Sequence, residues 1–189
     1  MDEFKELEFK YDANSINLTD FLKLMQNLQP KIRKDVSSWD YYYTCNNPEE
    51  FLRYRESKNP ELTIKRKTKS SNNWDRIEVD LPLDENRIDK YKVDAFSKLL
   101  SYKENFRIYK TCFIFWFNDF NAVYYVVYDE NMKEKGRFIE VEINKDRISN
   151  LADPFETLKQ AENTLLTLGP KPSNRLKRSL FEMFVKNND

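Results

Sequence analysis

Charged and apolar residues alternate along much of this chain, at the two-residue period of a β-strand. Glu6, Glu8 and Lys10 fall on one face of the first such segment, while Leu7 and Phe9 fall on the other. Turn-rich stretches separate further segments of this kind. The predicted strands are Phe4 to Tyr11, Trp39 to Thr44, Phe51 to Glu56, Glu61 to Lys67, Asp75 to Leu81, Phe106 to Phe117, Ala122 to Asp129 and Arg137 to Ile143.

Helical spacing of apolar residues interrupts these strands and then follows them. The first such pattern spans Asn17 to Gln29, and the second spans about Asp84 to Lys103, with Tyr91, Ala95, Phe96, Leu99 and Leu100 on one side. Asp153 and Pro154 predict the start of a third helix, and a last helix is predicted from about Ser173 to Lys186. We expect the apolar stripes of these helices to pack on the outside of a sheet.

Eight strands are enough to close an antiparallel barrel that can hold one small ligand. If the helices cover the apolar outer face, the charged face must point inward. Isolated charges in such a lumen would be costly, but acids, bases, cations and a polyanion together satisfy one another. The sequence therefore predicts an α+β fold: one domain over residues 1–189, with barrel strands over about 4–143 and C-terminal helices over about 153–187.

Composition narrows the chemistry of this lumen. Lys plus Arg and Asp plus Glu number 32 each, which argues against binding of nucleic acid or a membrane surface by bulk charge. The chain has no histidine, so carboxylates, Lys, Tyr or hard metal ions must do any catalysis. Cys45 and Cys112 are interpreted as small buried hydrophobic residues. Neither a membrane span nor a signal peptide is evident, and a cytoplasmic protein is expected.

Several short motifs follow one another along the predicted strands. They are Glu6-Leu7-Glu8-Phe9-Lys10, Asp40-Tyr41-Tyr42-Tyr43, Leu52-Arg53-Tyr54-Arg55, Leu62-Thr63-Ile64-Lys65, Arg76-Ile77-Glu78, Asp129 and Gly136-Arg137-Phe138-Ile139-Glu140-Val141-Glu142. In order and spacing this set resembles the CYTH family of triphosphate tunnel metalloenzymes. The resemblance covers about residues 4–143, with a weaker match at Arg178 to Phe181. One departure is Cys112, at a position where the family usually has Arg; Lys110 is the nearest basic residue.

The resemblance implies roles for particular residues inside the tunnel. Catalysis would involve Glu8, Glu142 and Lys10. Divalent cations, Mg²⁺ or Mn²⁺, would be held by Glu6, Glu8, Asp129, Glu140 and Glu142, a set of hard oxygen ligands that suits either ion. The triphosphate would be bound by Lys10, Arg53, Arg55, Lys65, Lys67, Arg76, Lys110 and Arg178.

Three functions are compatible with these motifs. The first is hydrolysis of a triphosphate: inorganic tripolyphosphate, a nucleoside or thiamine triphosphate, or the 5′ end of RNA. The second is a class IV-type adenylate cyclase that makes cyclic AMP and pyrophosphate, and the third is a non-catalytic module that binds a nucleotide or polyphosphate. The expected partner is a small triphosphate, without a membrane, and the chain is expected to be a monomer or a homodimer.

Overall fold

Strands form most of the structure, a computed structural model that describes residues 5–67, 75–169 and 174–185. The described strands are β1 (Lys5–Asp12), β2 (Ile32–Thr44), β3 (Glu50–Glu56), β4 (Glu61–Lys67), β5 (Asp75–Pro82), β6 (Lys103–Trp116), β7 (Phe120–Tyr128) and β8 (Glu134–Ile143). Antiparallel neighbours close a ring in the order β1, β5, β4, β3, β2, β6, β7, β8. The predicted closed barrel of eight antiparallel strands is confirmed.

The described helices lie outside this ring and begin at side-chain caps. Asn17 and Asp153 each accept a backbone N–H from the first turn of their helix, and Ser179 forms a capping box with Glu182. These caps satisfy donors that have no partner within the helix. The helices are α1 (Leu18–Asn27), α2 (Lys90–Leu99), α3 (Pro154–Leu165) and α4 (Leu180–Phe184).

The largest apolar cluster lies between α1, α3 and the outer wall of the barrel. Phe21 of α1 and Leu158 of α3 are fully buried there with Phe9 and Tyr124 from the strands. Burial of each such side chain contributes about 1.5–3 kcal/mol. Because the faces of β1, β7 and β8 that carry these residues pack outward, their opposite faces, which are charged in β1 and β8, are directed into the barrel.

Helix α2 does not pack as its apolar stripe predicted. It buries Val93 and Ser97 instead, whereas Tyr91 and Leu99 on the predicted stripe are 81% and 85% exposed. The inward face of the helix also carries Lys90, whose Nζ lies 4.7 Å from the centre of the Tyr41 ring and 2.6 Å from Asp94. Contact with strand aromatic rings has therefore decided the orientation of this helix.

Two other predicted boundaries are corrected. Strand β2 begins at Ile32 rather than Trp39, because residues 32–37 pair with β6. The last helix spans only Leu180–Phe184, and the segment before it makes an isolated bridge between Arg175 and Tyr11. The predicted ends at Phe4, Ser173 and Lys186 lie outside the described residues.

Cys45 and Cys112 are free thiols, partly buried against apolar clusters. Among the helices that the structure describes, none is long and apolar enough to cross a membrane.

Candidate active site in the barrel tunnel

The inward faces of the strands line a cavity of about 750 Å³ that runs through the barrel. Its volume falls within the range of small-molecule sites. Strand alternation directs the predicted charges into it, as expected from their two-residue spacing. The predicted site residues that line this tunnel are Glu6, Glu8, Lys10, Arg53, Arg55, Lys65, Arg76, Lys110, Glu140 and Glu142.

Three carboxylates converge in the tunnel. Glu6 and Glu8 are two residues apart on β1, and Glu142 of β8 lies directly opposite Glu8 in the ladder. One oxygen from each lies within 4.8 Å of the others. Burial, together with the charge of Glu6, raises the pKa of Glu142 to about 7, and burial also raises the pKa of Glu8. Such mutual repulsion is relieved when a cation is bound between the groups.

Glu140 has a different set of partners from this carboxylate trio. Its Oε1 lies 2.8 Å from Lys10 Nζ and accepts a hydrogen bond of 2.8 Å from the Tyr125 hydroxyl. Burial opposes the charge on Lys10, but Glu140 and Glu8 outweigh that effect and raise the Lys10 pKa. Lys10 is therefore a permanent cation, 3.3 Å from Glu8 at the edge of the trio.

Basic side chains surround Asp40, a residue of β2. Asp40 is completely buried, and it accepts hydrogen bonds from Arg55 Nε at 3.0 Å and Nη2 at 3.2 Å. Lys110 Nζ lies 2.5 Å from Asp40 Oδ2, the oxygen that also accepts from Arg55 Nη2. Burial opposes ionisation of Asp40, yet Arg55 and Lys110 outweigh it and hold the Asp40 pKa well below its usual range. One carboxylate thus holds two cations toward the lumen.

Arg53 of β3 and Lys65 of β4 add to these basic side chains. Together with Arg55 and Lys110 they form the part of the tunnel lining that we call the basic wall. Arg53 Nη2 donates to Thr63 Oγ1 at 2.8 Å, while its Nε is buried and finds no acceptor among the described residues. Lys65 Nζ donates to both oxygens of Glu6, at 2.7 and 2.8 Å, and also pairs with Glu78. Lys65 therefore connects the basic wall to the carboxylate trio.

Helix α4 contacts the basic residues at one end of the tunnel. Glu182 pairs there with Lys67 and with Arg76, whose Nη2 lies 3.3 Å away. Burial opposes ionisation of Glu182, but the Lys67 hydrogen bond and the Ser179 cap outweigh it and lower the Glu182 pKa to about 2. Glu182 therefore stays charged at neutral pH, and it pairs with two cationic side chains, Lys67 and Arg76, to which an anionic ligand could otherwise bind.

Comparison of the sequence with protein-family models and with curated proteins finds no match. Solved structures are similar over nearly the whole chain. A conserved hypothetical protein of Pyrococcus furiosus has a TM-score of 0.70 at 23% identity, covering 94% of this chain and 98% of its own. A candidate adenylate cyclase of Vibrio parahaemolyticus has a TM-score of 0.65 at 15% identity, covering 94% and 96%. The chain shares the closed-barrel fold of these structures. At these identities the similarity establishes the fold alone.

A similar fold also occurs in a chain of the Schizosaccharomyces pombe Mediator head module. That similarity has a TM-score of 0.56 at 10% identity and covers 96% of each chain. The same tunnel architecture is therefore found in proteins described in very different terms, and the side chains inside the tunnel must carry any functional conclusion.

Three predicted site residues are not among those that line the tunnel. Asp129 lies in the turn after β7, where its Oδ1 accepts the backbone N–H groups of Asn131 and Lys133. Arg178 is exposed just before α4, and Lys67 lies at the rim against Glu182. The structure thus gives Asp129 a turn-forming role and does not bring it to the other predicted cation ligands.

Sequence reasoning assigned no role to several tunnel residues. Glu78 and Asp80 of β5 line the tunnel and had the right alternation, which was the available signal, whereas Asp40 lies buried against the tunnel residues Arg55 and Lys110. Asn121 and Tyr125 of β7 also line the tunnel, and they donate hydrogen bonds to Glu142 and Glu140 respectively. These two lie among apolar neighbours in the sequence, so alternation gave no sign of them.

Proposed function

We propose that this protein is a divalent-metal-dependent phosphohydrolase that removes the terminal phosphate from a triphosphate held inside the tunnel. The observation that carries the proposal is the pairing of opposite charges within one cavity. The carboxylates of Glu6, Glu8 and Glu142 converge at one place on the cavity wall, and basic side chains line other parts of that wall. A polyphosphate with bound cations satisfies both groups at once, as no simple anion or cation would.

Substrate binding falls to the basic side chains. Arg53 and Arg55 can donate paired N–H groups to phosphate oxygens, whereas Lys10, Lys65 and Lys110 act as point charges. Most of these basic side chains pair with carboxylates of the tunnel wall. Phosphate oxygens would either replace those carboxylates as acceptors or share the same donors with them. This arrangement keeps the cations oriented toward the lumen before the substrate arrives.

The carboxylate trio fits Mg²⁺ or Mn²⁺ by its chemistry, because all three ligands are hard oxygens. Glu6, Glu8 and Glu142 would hold the ion. When bound, a divalent cation there would neutralise phosphate charge and make the terminal phosphorus more electrophilic. Glu8 and Glu142 would also orient the attacking water by accepting its hydrogen bonds, and would take up its proton as the new P–O bond forms. The bond from the terminal phosphorus to the bridging oxygen breaks, and Lys10 would stabilise the negative charge on the departing remainder of the substrate.

An adenylate cyclase reaction is the nearest alternative, and the fold of the candidate cyclase from Vibrio parahaemolyticus supports it. The same cations would hold ATP, but the ribose hydroxyl would attack the α-phosphorus. A non-catalytic module that binds nucleotide or polyphosphate is the third candidate. The carboxylate trio disfavours it, because a pure anion-binding site gains nothing from converging carboxylates.

Product analysis separates these three functions. Purified protein is incubated with Mg²⁺ or Mn²⁺ and, separately, with tripolyphosphate, ATP, thiamine triphosphate and RNA bearing a 5′-triphosphate. We expect orthophosphate from at least one substrate and none after addition of EDTA. Cyclic AMP with pyrophosphate would instead establish the cyclase. Tight triphosphate binding without any product would leave only the binding module.

The raised pKa of Glu142 predicts how metal binding depends on pH. Below about pH 7 this group holds a proton in the metal-free protein, and a cation must displace it. Because the folded-state pKa lies above the ordinary value of 4.5, metal-free stability should fall as pH rises from 4.5 to about 7. We therefore expect the rise in Tm caused by Mn²⁺ to increase with pH. Thermal unfolding with and without Mn²⁺, from about pH 5.5 to about pH 8, measures it. A Mn²⁺ effect that is constant across this range would contradict the assignment.

A further inference from the structure

Asn121 of β7 is a tunnel residue that the strand motifs did not indicate. It lies directly opposite Glu142 in the β7–β8 ladder, and its side chain is only 8% exposed. Its Nδ2 donates a hydrogen bond of 3.0 Å to Glu142 Oε1. Asn121 therefore touches one member of the carboxylate trio.

The chemistry of this contact fixes the orientation of the amide. A carboxylate oxygen accepts hydrogen bonds, and only the Nδ2 end of an asparagine side chain can donate one. The opposite end, Oδ1, must then face away from Glu142 Oε1 while remaining within one amide group of it. Asn121 thus contacts the trio through its nitrogen, and its oxygen belongs to the same amide group.

This oxygen is buried and has no hydrogen-bond partner among the described residues. Leaving such an acceptor unsatisfied costs about 1–3 kcal/mol, and a native site that bears this cost usually serves a ligand, an ion or a bound water. An amide oxygen is also a hard ligand of the kind that carboxylate-bound cations accept.

We infer that Asn121 Oδ1 is a further protein ligand of the cation held by Glu6, Glu8 and Glu142. The inference rests on the metal dependence proposed above. The amide acts in two ways: Nδ2 holds Glu142 in place, and Oδ1 contributes an uncharged oxygen to the coordination shell. A neutral ligand adds coordination without adding a fourth negative charge to a trio that already repels itself.

The test measures binding of Mn²⁺ to the substrate-free protein, by electron paramagnetic resonance of the free ion. Asn121→Leu keeps the approximate shape but removes both polar ends, and we expect it to raise the Mn²⁺ Kd by about tenfold or more. Asn121→Asp restores the oxygen but cannot donate to Glu142, and we expect a Kd within about threefold of the wild type or tighter. Asn131→Leu, in the exposed turn after β7, is the matched control and should leave the Kd unchanged.

Each outcome separates the ligand role from its alternatives. Wild-type affinity in Asn121→Leu would overturn the inference, and so would an Asn121→Asp variant as weak as Asn121→Leu, which would leave only the bond to Glu142. Metal-free Asn121→Leu should unfold at close to the wild-type Tm, since loss of the bond to Glu142 is offset by removal of an unsatisfied acceptor; a large fall in Tm would indicate a purely structural role. Wild-type protein that binds no Mn²⁺ would instead refute the proposed metal site itself.

Discussion

Glu142→Gln is expected to remove metal-dependent turnover while leaving the fold intact. The substitution keeps the shape of the side chain but replaces a charged ligand with a neutral amide at the centre of the carboxylate trio. Loss of an outer-shell partner alone commonly costs 10–100-fold, so loss of a direct ligand should lower kcat by more than about a hundredfold. Product release under saturating Mg²⁺ measures the effect, and circular dichroism with thermal unfolding reports on the fold.

Glu134→Gln is the matched control for this experiment. Glu134 lies on the same strand, β8, but it is exposed and pairs with Arg137 at 2.8 Å. Because such surface pairs contribute little, its variant should keep wild-type turnover and stability. Full activity in Glu142→Gln would rule out the proposed cation site, whereas equal loss in both variants would indicate a general effect of substitutions in β8.

Asp40→Asn is expected to produce the largest loss of stability among the tunnel substitutions. Asp40 is fully buried between Arg55 and Lys110, with Arg53 also contributing to its low pKa. Removing its charge leaves these cations uncompensated, and breaking a buried ion pair in this way costs about 3–5 kcal/mol. Urea unfolding of the metal-free protein measures the loss as a change in the free energy of unfolding.

Tripolyphosphate should partly reverse that loss, because a bound polyanion supplies the missing negative charge. Asp35→Asn, on the same strand, is the control: Asp35 pairs with Arg33 at the surface, 2.9 Å away, and its loss should change stability by less than about 0.5 kcal/mol. If Asp40→Asn unfolds like the wild type, Asp40 does not organise the basic wall. If tripolyphosphate stabilises the wild type and the variant equally, the two anions do not share cations.

The barrel could be predicted because its signal is repeated in several strands. A two-residue alternation places Glu6 with Glu8 and Glu140 with Glu142, and no other closed arrangement satisfies so many inward charges. The first half of β2 carried no such signal. Its residues Ile32 to Ser37 are mostly exposed, and they are strand only because β6 extends alongside them. Here tertiary pairing overrides local preference.

Side-chain destinations were harder to predict than strands. Asp129 matched a motif position, but Asp and Asn side chains also satisfy backbone N–H groups in turns, and this use prevails after β7. The stripe of α2 was misjudged because periodicity identifies an apolar face without saying what covers it. In α2, Lys90 contacts the Tyr41 and Tyr43 rings of β2, and the predicted apolar stripe is exposed to solvent.

Strand β1 closes the ring by pairing with two different neighbours. Lys5 to Leu7 pair with β5, and Glu8 to Asp12 pair with β8, which the ribosome makes much later. Contacts between segments so distant in sequence form slowly, because the entropy of closing the intervening loop must be lost first. The carboxylate trio therefore cannot form until β8 has been synthesised and has paired with β1.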